Sequence, residues 1–484
     1  MDKVKRYALY LLVMAGLGGL LYGIDVGVVD QAYPYILATS SYSKGQLGLV
    51  VGAVLWGSVL SSLFAGMLTE WMGRRKMIFL SALCFTLSIP VICASGWFDG
   101  GNFALMVSGR LLQGIAGGFL GVVVPMYLAE CLDAESRGKG TGMFQLLLTV
   151  GIVFSAVVGI VVAYAIGNAE DPTVSASSKT TAWQMIFWFS AIPGIILSLG
   201  ALKLRESPRW LYYRGRKDEA LASLAANNGE EKAQAILAEM IEADRQAEEE
   251  KKRVAAETKG ETLLQRKYVL PFVLAVLVLT CNQTTGVNSV LNYATQMFKE
   301  AGLEGALANW GSLVFKVTNC IMTMVACMLV DRKGRTWLLK LGTSGIIFGL
   351  LFSGCVYFGL EHKWLQPSML SGVLVLTGFV LFIAAFAVGP GVCVWLALSE
   401  LMPTRIRANG MSIALVINQG TSALIATVFP KWSAAAGYGW VFFTLAGFTV
   451  VYFITAAFFL PETKGRTLEE IEKYFTTGKM PEKG

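Results

Sequence analysis

Met67-Leu68-Thr69-Glu70-Trp71-Met72-Gly73-Arg74 recurs later in the chain as Met328-Leu329-Val330-Asp331-Arg332-Lys333-Gly334-Arg335. Both copies have an acid, two intervening residues and then Gly-Arg, and both follow a long apolar run. A repeat over so long a separation indicates two structural units built on one plan. The sequence therefore predicts two related halves.

Two further charged signatures recur in the same order. They are Glu130 with Arg137, which return at the same spacing as Glu400 with Arg407, and Glu206-Ser207-Pro208-Arg209, which is matched by Pro461-Glu462-Thr463-Lys464-Gly465-Arg466. Parallel halves related by an axis along the membrane normal are one layout that gives transporters alternating access. We expect these residues, with Arg74 and Arg335, to form a gate at one membrane face. For any single pair the alternative is that its charges only anchor helix ends.

The composition excludes a water-soluble globule. Hydrophobic residues make up 55% of the 484 residues and charged residues only 15%, whereas a soluble domain is about a quarter charged. The net charge of +7 comes from Lys and Arg in short loops, which is typical of membrane topology and not of a nucleic-acid-binding surface. No nucleophile–base pair, metal-ligand spacing or phosphate loop is evident, so we predict no enzyme, no metal, no cofactor and no nucleic-acid partner.

Twelve apolar runs are long enough to cross a bilayer, which takes about 20 residues per helix. They lie near 7–32, 47–68, 77–96, 103–130, 141–166, 183–204, 267–298, 306–330, 337–360, 369–401, 408–430 and 437–460. The predicted fold class is an all-α membrane protein with twelve transmembrane helices in two six-helix, pseudo-symmetric halves. The lipid bilayer is therefore one of its partners.

The domain organisation follows from the same runs. We expect an N-terminal half (1–205), a linker (206–264), a C-terminal half (265–461) and a tail (462–484). Residues 230–251 in the linker are rich in Ala, Glu, Lys and Gln, which are strong helix formers, so we predict a helical insert that acts either as a solvated linker or in gating. Clusters such as Arg74-Arg75-Lys76 predict that their loops, and both termini, are cytoplasmic.

Two ionisable residues lie deep within predicted membrane helices. They are Asp25 in the first helix and Arg110 in the fourth, and such groups normally face a cavity or a partner. A carboxylate balanced between burial and a nearby guanidinium can bind and release a proton as the cavity changes shape. The alternative is a fixed structural Asp25–Arg110 pair.

Neutral amides in the membrane helices suit a polyhydroxylated ligand, because each amide offers both donors and an acceptor. The seventh helix carries Gln283 and, at a spacing of four, Thr284, Asn288 and Asn292, which we expect on one stripe. Further amides are Gln145, Asn319 and Asn418, and Trp395 follows the helix-breaking Gly389-Pro390-Gly391. Amides with an aromatic ring predict a sugar site, and the alternative for any one amide is an interhelical hydrogen bond.

Several motifs in combination resemble the sugar porter family of the major facilitator superfamily. They are Gly66-x-x-x-Glu70-x-x-Gly73-Arg74-Arg75, Gly109-Arg110, Pro125-x-Tyr127-x-x-Glu130, Arg137-Gly138, Glu206-Ser207-Pro208-Arg209, Asp331-x-x-Gly334-Arg335, Glu400-x-x-Pro403 and Pro461-Glu462-Thr463-Lys464-Gly465. The resemblance implies the major facilitator fold and a monomeric secondary transporter in the cell membrane that imports a monosaccharide (a hexose or a pentose) by proton symport. A facilitative uniporter and a carrier of a sugar acid or polyol remain alternatives.

The resemblance also assigns site residues. Asp25 stands where proton-coupled members have Asp, and the sugar-contact positions are Gln145, Gln283, Asn288, Asn319, Trp395 and Asn418. The sequence departs from the family where Glu70-Trp71 replaces Asp-Arg, Asn282 replaces the first of two glutamines, and Gln419 replaces a tryptophan. These departures leave the preferred sugar open.

Two further charges, Asp30 and Lys316, lie in the outer parts of predicted helices. Lys316 can extend to the membrane surface, meet Asp30 across the cavity, or bind an anionic substrate such as a sugar acid. The sequence leaves these three possibilities open.

Overall fold

A computed structural model describes residues 3–132, 134–257, 262, 265–403, 405–462, 470–471 and 474–475. Within those residues every regular element is a helix. The α-helices are α1 (Lys3–Thr39), α2 (Lys44–Met72), α3 (Arg74–Ala94), α4 (Phe103–Cys131), α5 (Ala134–Ile166), α6 (Ala176–Ala201), α7 (Pro208–Tyr213), α8 (Lys217–Asn228), α9 (Glu230–Glu257), α10 (Arg266–Thr284), α11 (Val287–Glu300), α12 (Ala306–Lys333), α13 (Arg335–Glu361), α14 (Met369–Val388), α15 (Pro390–Leu401), α16 (Arg407–Ala436) and α17 (Tyr438–Ile454).

Twelve stretches among the described residues are long and apolar enough to cross a membrane, which confirms the predicted fold class. Their lipid-facing sides carry exposed apolar residues such as Leu199, Phe348 and Leu370, because lipid replaces water as their surroundings. Ten of the spans are continuous helical stretches, whereas the seventh and the tenth are each divided between two α-helices.

The seventh span is α10 followed by α11, and the tenth is α14 followed by the start of α15. Gly286 separates α10 from α11 with a φ of 79°, a left-handed conformation that favours glycine. Gly389 separates α14 from α15, where Pro390 occupies a first-turn position whose N–H is not needed. The sequence predicted both spans as single helices, and the structure interrupts them. Non-helical backbone at this depth is tolerated where it lines a cavity or is buried in protein.

The first six spans pack against one another, and so do the last six. In the first group α1 packs against α5 and α6, and α4 packs against α2 and α3. In the second group α13 packs against α14 and α17, and α10 packs against α16. A Cβ atom at Gly23 of α1 would overlap the carbonyl oxygen of Leu148 in α5, so these two helices approach to a distance that only glycine allows.

The two groups meet along three helix pairs, namely α2 with α16, α5 with α12, and α1 with α11. One close approach involves Gly48 near the start of α2, where a Cβ atom would overlap the carbonyl oxygen of Thr427 near the end of α16. Both positions lie at the face opposite the chain's N-terminus. The halves are therefore in tight contact at that opposite face.

Helices α7, α8 and α9 lie at the membrane face that carries the N-terminus, and we call this face the terminal face. Helix α8 packs against α1, and Asn227 at its end donates to the carbonyl of Cys131 at the end of α4, at 3.0 Å. Arg209 of α7 pairs with Asp244 of α9 at 3.2 Å. The predicted helical insert thus contains three helices. The domain limits at 205, 264 and 461 stay predictions.

Candidate substrate and ion-coupling site

Four polar side chains meet where the seventh span is interrupted, and they form the amide cluster: Gln283, Asn288, Asn418 and Ser422. Gln283 Nε2 donates to Asn418 Oδ1 at 3.1 Å. Asn288 Nδ2 donates to Gln283 Oε1 at 2.9 Å and to Ser422 Oγ at 2.6 Å. The break between α10 and α11 brings Gln283 and Asn288 together beside α16. Three of the six predicted sugar-contact residues are therefore in one hydrogen-bonded group.

The amide cluster keeps unused hydrogen-bonding capacity. The Nδ2 atom of Asn418 is buried and no described residue accepts from it, and the Oδ1 atom of the neighbouring Asn282 is buried without a donor. A buried donor without an acceptor costs free energy, roughly 1–3 kcal/mol. A ligand hydroxyl can supply what these atoms lack, because it both donates and accepts.

The expected stripe along the seventh span is interrupted by the break at Gly286. Thr284 ends α10 and its hydroxyl donates to the carbonyl of Cys281, whereas Asn288 lies beyond the break at Gly286. Asn292 donates to the carbonyl of Asn288 at 2.7 Å. Helical spacing across a left-handed glycine does not keep side chains on one face.

Two more predicted contact residues, Gln145 and Asn319, lie on facing helices of the two halves. Gln145 is exposed and stands one turn before Thr149 on α5, and the Thr149 hydroxyl lies 3.3 Å from the Cys320 thiol of α12. Asn319, next to Cys320, is 9% exposed. The side chain of Trp395, the sixth predicted contact, lies outside the described residues.

Asp25 and Arg110 meet inside the first group of helices. Asp25 Oδ1 is 3.7 Å from Arg110 Nη1, and both side chains are 1% exposed. Arg110 also donates to Gln113 Oε1 at 2.7 Å and packs on the Phe187 ring, 5.6 Å from its centroid. The structure thus brings the two predicted ion-coupling residues together.

The surroundings of Asp25 are poor in hydrogen-bond donors. Both carboxylate oxygens are buried, and neither accepts a hydrogen bond from any described residue. Its neighbour on α4 is Gly117, where a Cβ atom would lie 2.9 Å from Asp25 Oδ2. A buried carboxylate that accepts no hydrogen bond is strongly penalised while it is charged, even with the Arg110 guanidinium 3.7 Å away.

Tyr22 packs beside this carboxylate, and the sequence analysis missed it. A Cβ atom at the same Gly117 would lie 3.5 Å from Tyr22 Cδ2. The available signal was its place one turn before Asp25. Tyr22 thus forms part of the wall around Asp25.

Asp30 and Lys316 form a second buried ion pair. Lys316 Nζ lies 2.8 Å from Asp30 Oδ2, and both side chains are 0% exposed. Extension of Lys316 to the membrane surface is therefore excluded in this conformation, and the contact across the two halves is the one observed. Lys316 Nζ also donates to the carbonyl of Gly27 at 3.3 Å.

Three more residues donate to the Asp30 carboxylate. The Thr295 backbone N–H donates to Oδ1 at 2.8 Å, and the Thr295 and Ser312 hydroxyls donate to Oδ2 at 3.0 and 2.6 Å. Gln31 Nε2 donates to Oδ2 at 2.8 Å. Asp25 accepts from no described donor, whereas Asp30 accepts from several, so the two carboxylates have opposite environments.

Near the Asp30–Lys316 pair, aromatic rings also pack between the two halves. Tyr33 of α1 packs edge-on against Tyr293 of α11 at 5.1 Å between ring centroids. Tyr293 in turn stacks on Phe429 of α16 at 5.3 Å. Together with Asp30–Lys316, these rings join α1 to α11, α12 and α16 at the face opposite the termini.

At the terminal face, the repeated signatures contact each other within each half. Arg74 pairs with Glu130 at 2.8 Å. Glu206 accepts from the backbone N–H groups of Arg74 and Arg75 at 2.8 and 3.1 Å. A carboxylate that accepts from first-turn N–H groups satisfies donors that the helix leaves unpaired, so Glu206 caps the start of α3.

The second half repeats this arrangement. Glu462 accepts from the backbone N–H groups of Arg335 and Thr336 at the start of α13, each at 3.1 Å. Arg407 Nε donates to the carbonyl of Met402 at 3.1 Å. The side chains of Arg137 and Glu400 lie outside the described residues. The role of all these residues in a gate stays a prediction.

Comparison with known proteins gives one consistent result. The profile of the family described as "Sugar (and other) transporter" matches residues 11–475. The chain is 32% identical over 477 residues to the glucose transporter GlcP of Staphylococcus epidermidis, covering 97% of each. It is 30% identical to the major myo-inositol transporter IolT of Bacillus subtilis, covering 96% of this chain and 93% of the relative.

Among solved structures, the inward open conformation of the xylose transporter XylE from E. coli superposes with a TM-score of 0.79 at 24% identity. The match covers 96% of this chain and 99% of that one. A further XylE structure is described as that of an MFS (major facilitator superfamily) proton:xylose symporter. The twelve spans and the family match agree, and the chain therefore belongs to the sugar porter family of the major facilitator superfamily, whose members are multi-pass membrane transporters and not enzymes.

Proposed function

We propose that this protein imports a monosaccharide, a hexose or a pentose, by proton symport through alternating access in the cell membrane. The observation that carries the proposal is the pairing of two features in one structure. Asp25 is a buried carboxylate that accepts no hydrogen bond from the described residues and lies 3.7 Å from Arg110, and the amide cluster keeps a buried, unpaired donor on Asn418. One feature suits a proton and the other suits hydroxyl groups.

The orientation follows from the basic loops. Arg74, Arg75 and Lys76 lie at the terminal face, and Lys and Arg are enriched in cytoplasmic loops. The terminal face is then cytoplasmic, with both termini inside. The face closed by Tyr33, Tyr293 and the Asp30–Lys316 pair is extracellular. The two halves that move are residues 1–205 and 265–461, and the linker 206–264 joins them. The protein acts as a monomer, and residues 462–484 form a cytoplasmic tail.

The sugar binds the amide cluster through Gln283, Asn288 and Asn418. The unpaired donor on Asn418 gains a hydroxyl acceptor, which is the interaction that the empty cluster lacks. Gln145 and Asn319 lie on α5 and α12, the facing helices of the two halves, so a sugar between these helices would contact both halves. Such a ligand favours the conformation in which the halves have closed around it.

The proton binds Asp25. A proton removes the charge that burial penalises, so the neutral acid is compatible with closure of the cavity around it. Arg110, 3.7 Å away, favours the charged form and promotes proton release once water reaches the site from the cytoplasm.

The test is sugar-driven proton movement in proteoliposomes, measured across a panel of neutral monosaccharides. The wild type is expected to take up protons with sugar and to accumulate sugar when a pH gradient is imposed. Asp25→Asn is expected to abolish both while it keeps sugar binding, because the amide stays neutral and the amide cluster is unchanged. Asp218→Asn, which changes an exposed carboxylate of α8, is the matched control.

Two outcomes contradict the proposal. Proton uptake that persists in Asp25→Asn assigns the proton to another carboxylate, with Asp30 the next candidate. Sugar transport without proton movement in the wild type identifies a facilitative uniporter.

A further inference from the structure

The donors that surround the Asp30 carboxylate belong mainly to one half of the protein. Lys316 Nζ, Ser312 Oγ, the Thr295 hydroxyl and the Thr295 N–H converge on it at 2.6–3.0 Å. All four lie on α11 and α12, in the second six-helix group, whereas Asp30 lies on α1 in the first. These three residues form the donor pocket.

We propose that the donor pocket is a carboxylate-binding site, occupied by Asp30 when the extracellular side is closed and by the carboxylate of a sugar acid when it is open. The inference rests on the proposed function, because it needs the halves to separate at that face. It adds a substrate class, the uronic-acid type of monosaccharide, to the neutral sugars that the amide cluster suits.

The geometry of the pocket is that of a carboxylate receptor. It combines one ammonium, two hydroxyls and a backbone N–H, and it places donors on both oxygens of the Asp30 carboxylate. Charge-assisted hydrogen bonds of this kind are the strong ones. Lys316 is 0% exposed, so the pocket is a built interior site and not a surface lysine.

Alternating access removes the internal ligand. Opening of the extracellular side separates α1 from α11 and α12, because these helices belong to halves that move against each other. Loss of one partner from a buried ion pair leaves the other uncompensated and is strongly unfavourable. The open pocket therefore favours a carboxylate supplied from outside, and Asp30 displaces that carboxylate when the side closes again.

A second ion pair between the halves also has its cation in the second half and its carboxylate in the first. Lys299 of α11 lies 3.6 Å from Glu170, in the loop between α5 and α6, and the Lys299 side chain is only 4% exposed. Lys299 follows Thr295 by one turn of α11. In both pairs the second half contributes the cation and the first half the carboxylate. Opening thus exposes two cations on one wall, which attracts anions toward the pocket.

The donor pocket lies between the extracellular side and the amide cluster. Thr295 follows Asn288 by two turns of α11, a rise of about 10 Å, and Lys316 precedes Asn319 by one turn of α12. A sugar acid that enters the open cavity meets the pocket before it meets the amides. Displacement by Asp30 then moves the substrate inward, toward Gln283 and Asn288.

The experiment compares D-glucuronate with D-glucose on the full-length protein in proteoliposomes, by direct uptake and by mutual inhibition. Wild type is expected to transport glucuronate and to show competition between the two compounds. Lys316→Met is expected to weaken glucuronate affinity at least tenfold and to leave glucose affinity within twofold. Asp30→Asn is expected to strengthen glucuronate binding several-fold, because a neutral amide competes poorly for the pocket. Lys431→Met, which removes an exposed lysine of α16, is the control.

Lys316→Met leaves Asp30 buried without its cation, so the Asp30→Asn, Lys316→Met double variant serves if the single variant does not fold. It carries no buried charge in the pocket and is expected to keep glucose uptake while it loses glucuronate. The proposal is overturned if glucuronate neither enters nor inhibits in wild type. It is also overturned if the substitutions shift glucose and glucuronate equally, since the pair is then only a closure contact. Glucose transport without proton movement, with glucuronate binding intact, would instead contradict the proposed function alone.

Discussion

At the scale of single residues, the amide cluster has a hydrogen-bond donor that remains available for a ligand. Asn288 donates to Gln283 and Gln283 donates to Asn418, yet the Nδ2 donor of Asn418 has no acceptor among the described residues. Because this donor is buried, a ligand that accepts from it recovers the free energy that the empty site lacks. The site is thus stable without substrate and more stable with it.

This arrangement predicts the effect of truncating either amide. Gln283→Ala and Asn288→Ala should each weaken sugar binding by roughly 1–3 kcal/mol, because a sugar hydroxyl and a cluster partner both lose a hydrogen bond. Equilibrium binding of the transported sugar to purified protein measures the change. Gln246→Ala, on the exposed face of α9, should bind normally. Wild-type affinity in both cluster variants would place the sugar elsewhere.

At the scale of elements, the repeated charged signatures have a shared structural role. Glu206 and Glu462 each accept from first-turn N–H groups, at α3 and α13 respectively. Both helices start directly after a glycine, Gly73 or Gly334, with positive φ. Glu206, Glu462 and the two Gly-Arg pairs therefore recur because each half turns the chain sharply at the terminal face and then caps the next helix.

The contact between α2 and α16 should control opening of the extracellular side. In Gly48→Leu the new side chain would overlap the Thr427 carbonyl, so the two helices must separate there and the outward-open state is favoured. A Tyr33→Cys reporter, buried in the closed face, should then react faster with a membrane-impermeant thiol reagent added outside. Gly45→Leu is the control, because no atom lies within 4 Å of a Cβ at that position. Equal labelling rates in the two variants would contradict the assignment.

At the scale of the whole molecule, the charge asymmetry between loops predicts one orientation. With the native exposed cysteines Cys327 and Cys355 replaced by serine, Gln366→Cys between α13 and α14 should react with an impermeant maleimide in intact cells. Asp218→Cys on α8 should react only after the membrane is permeabilised. The reverse pattern would place the terminal face outside and exchange the two sides in the proposed cycle.

Much of this architecture was predictable because the signals are local. Each membrane helix needs its own apolar run, so the number of spans and the repeated halves follow from hydropathy and charge along the chain. Asp25 and Arg110 were recognisable for the same reason, since an ionisable residue deep within an apolar run needs a partner or a cavity. Gly286 could be seen in the sequence as a residue that weakens the helix of the seventh span, although the sequence did not show that its φ is 79°.

The partners of these residues depended on the tertiary structure. The sequence left three possible positions or partners for the Lys316 side chain. Lys316 contacts Asp30 because α1 packs against α11, with α12 beside it. The break at Gly286 divides the expected stripe, and Gln283 lies beside Asn288 and Asn418. Glu206 and Glu462 became helix caps because the chain folds back onto α3 and α13. The sequence by itself determined which segments lie in the membrane and which polar residues they carry, since this follows from local hydropathy, whereas the packing of helices from distant segments decided which of those residues are buried together.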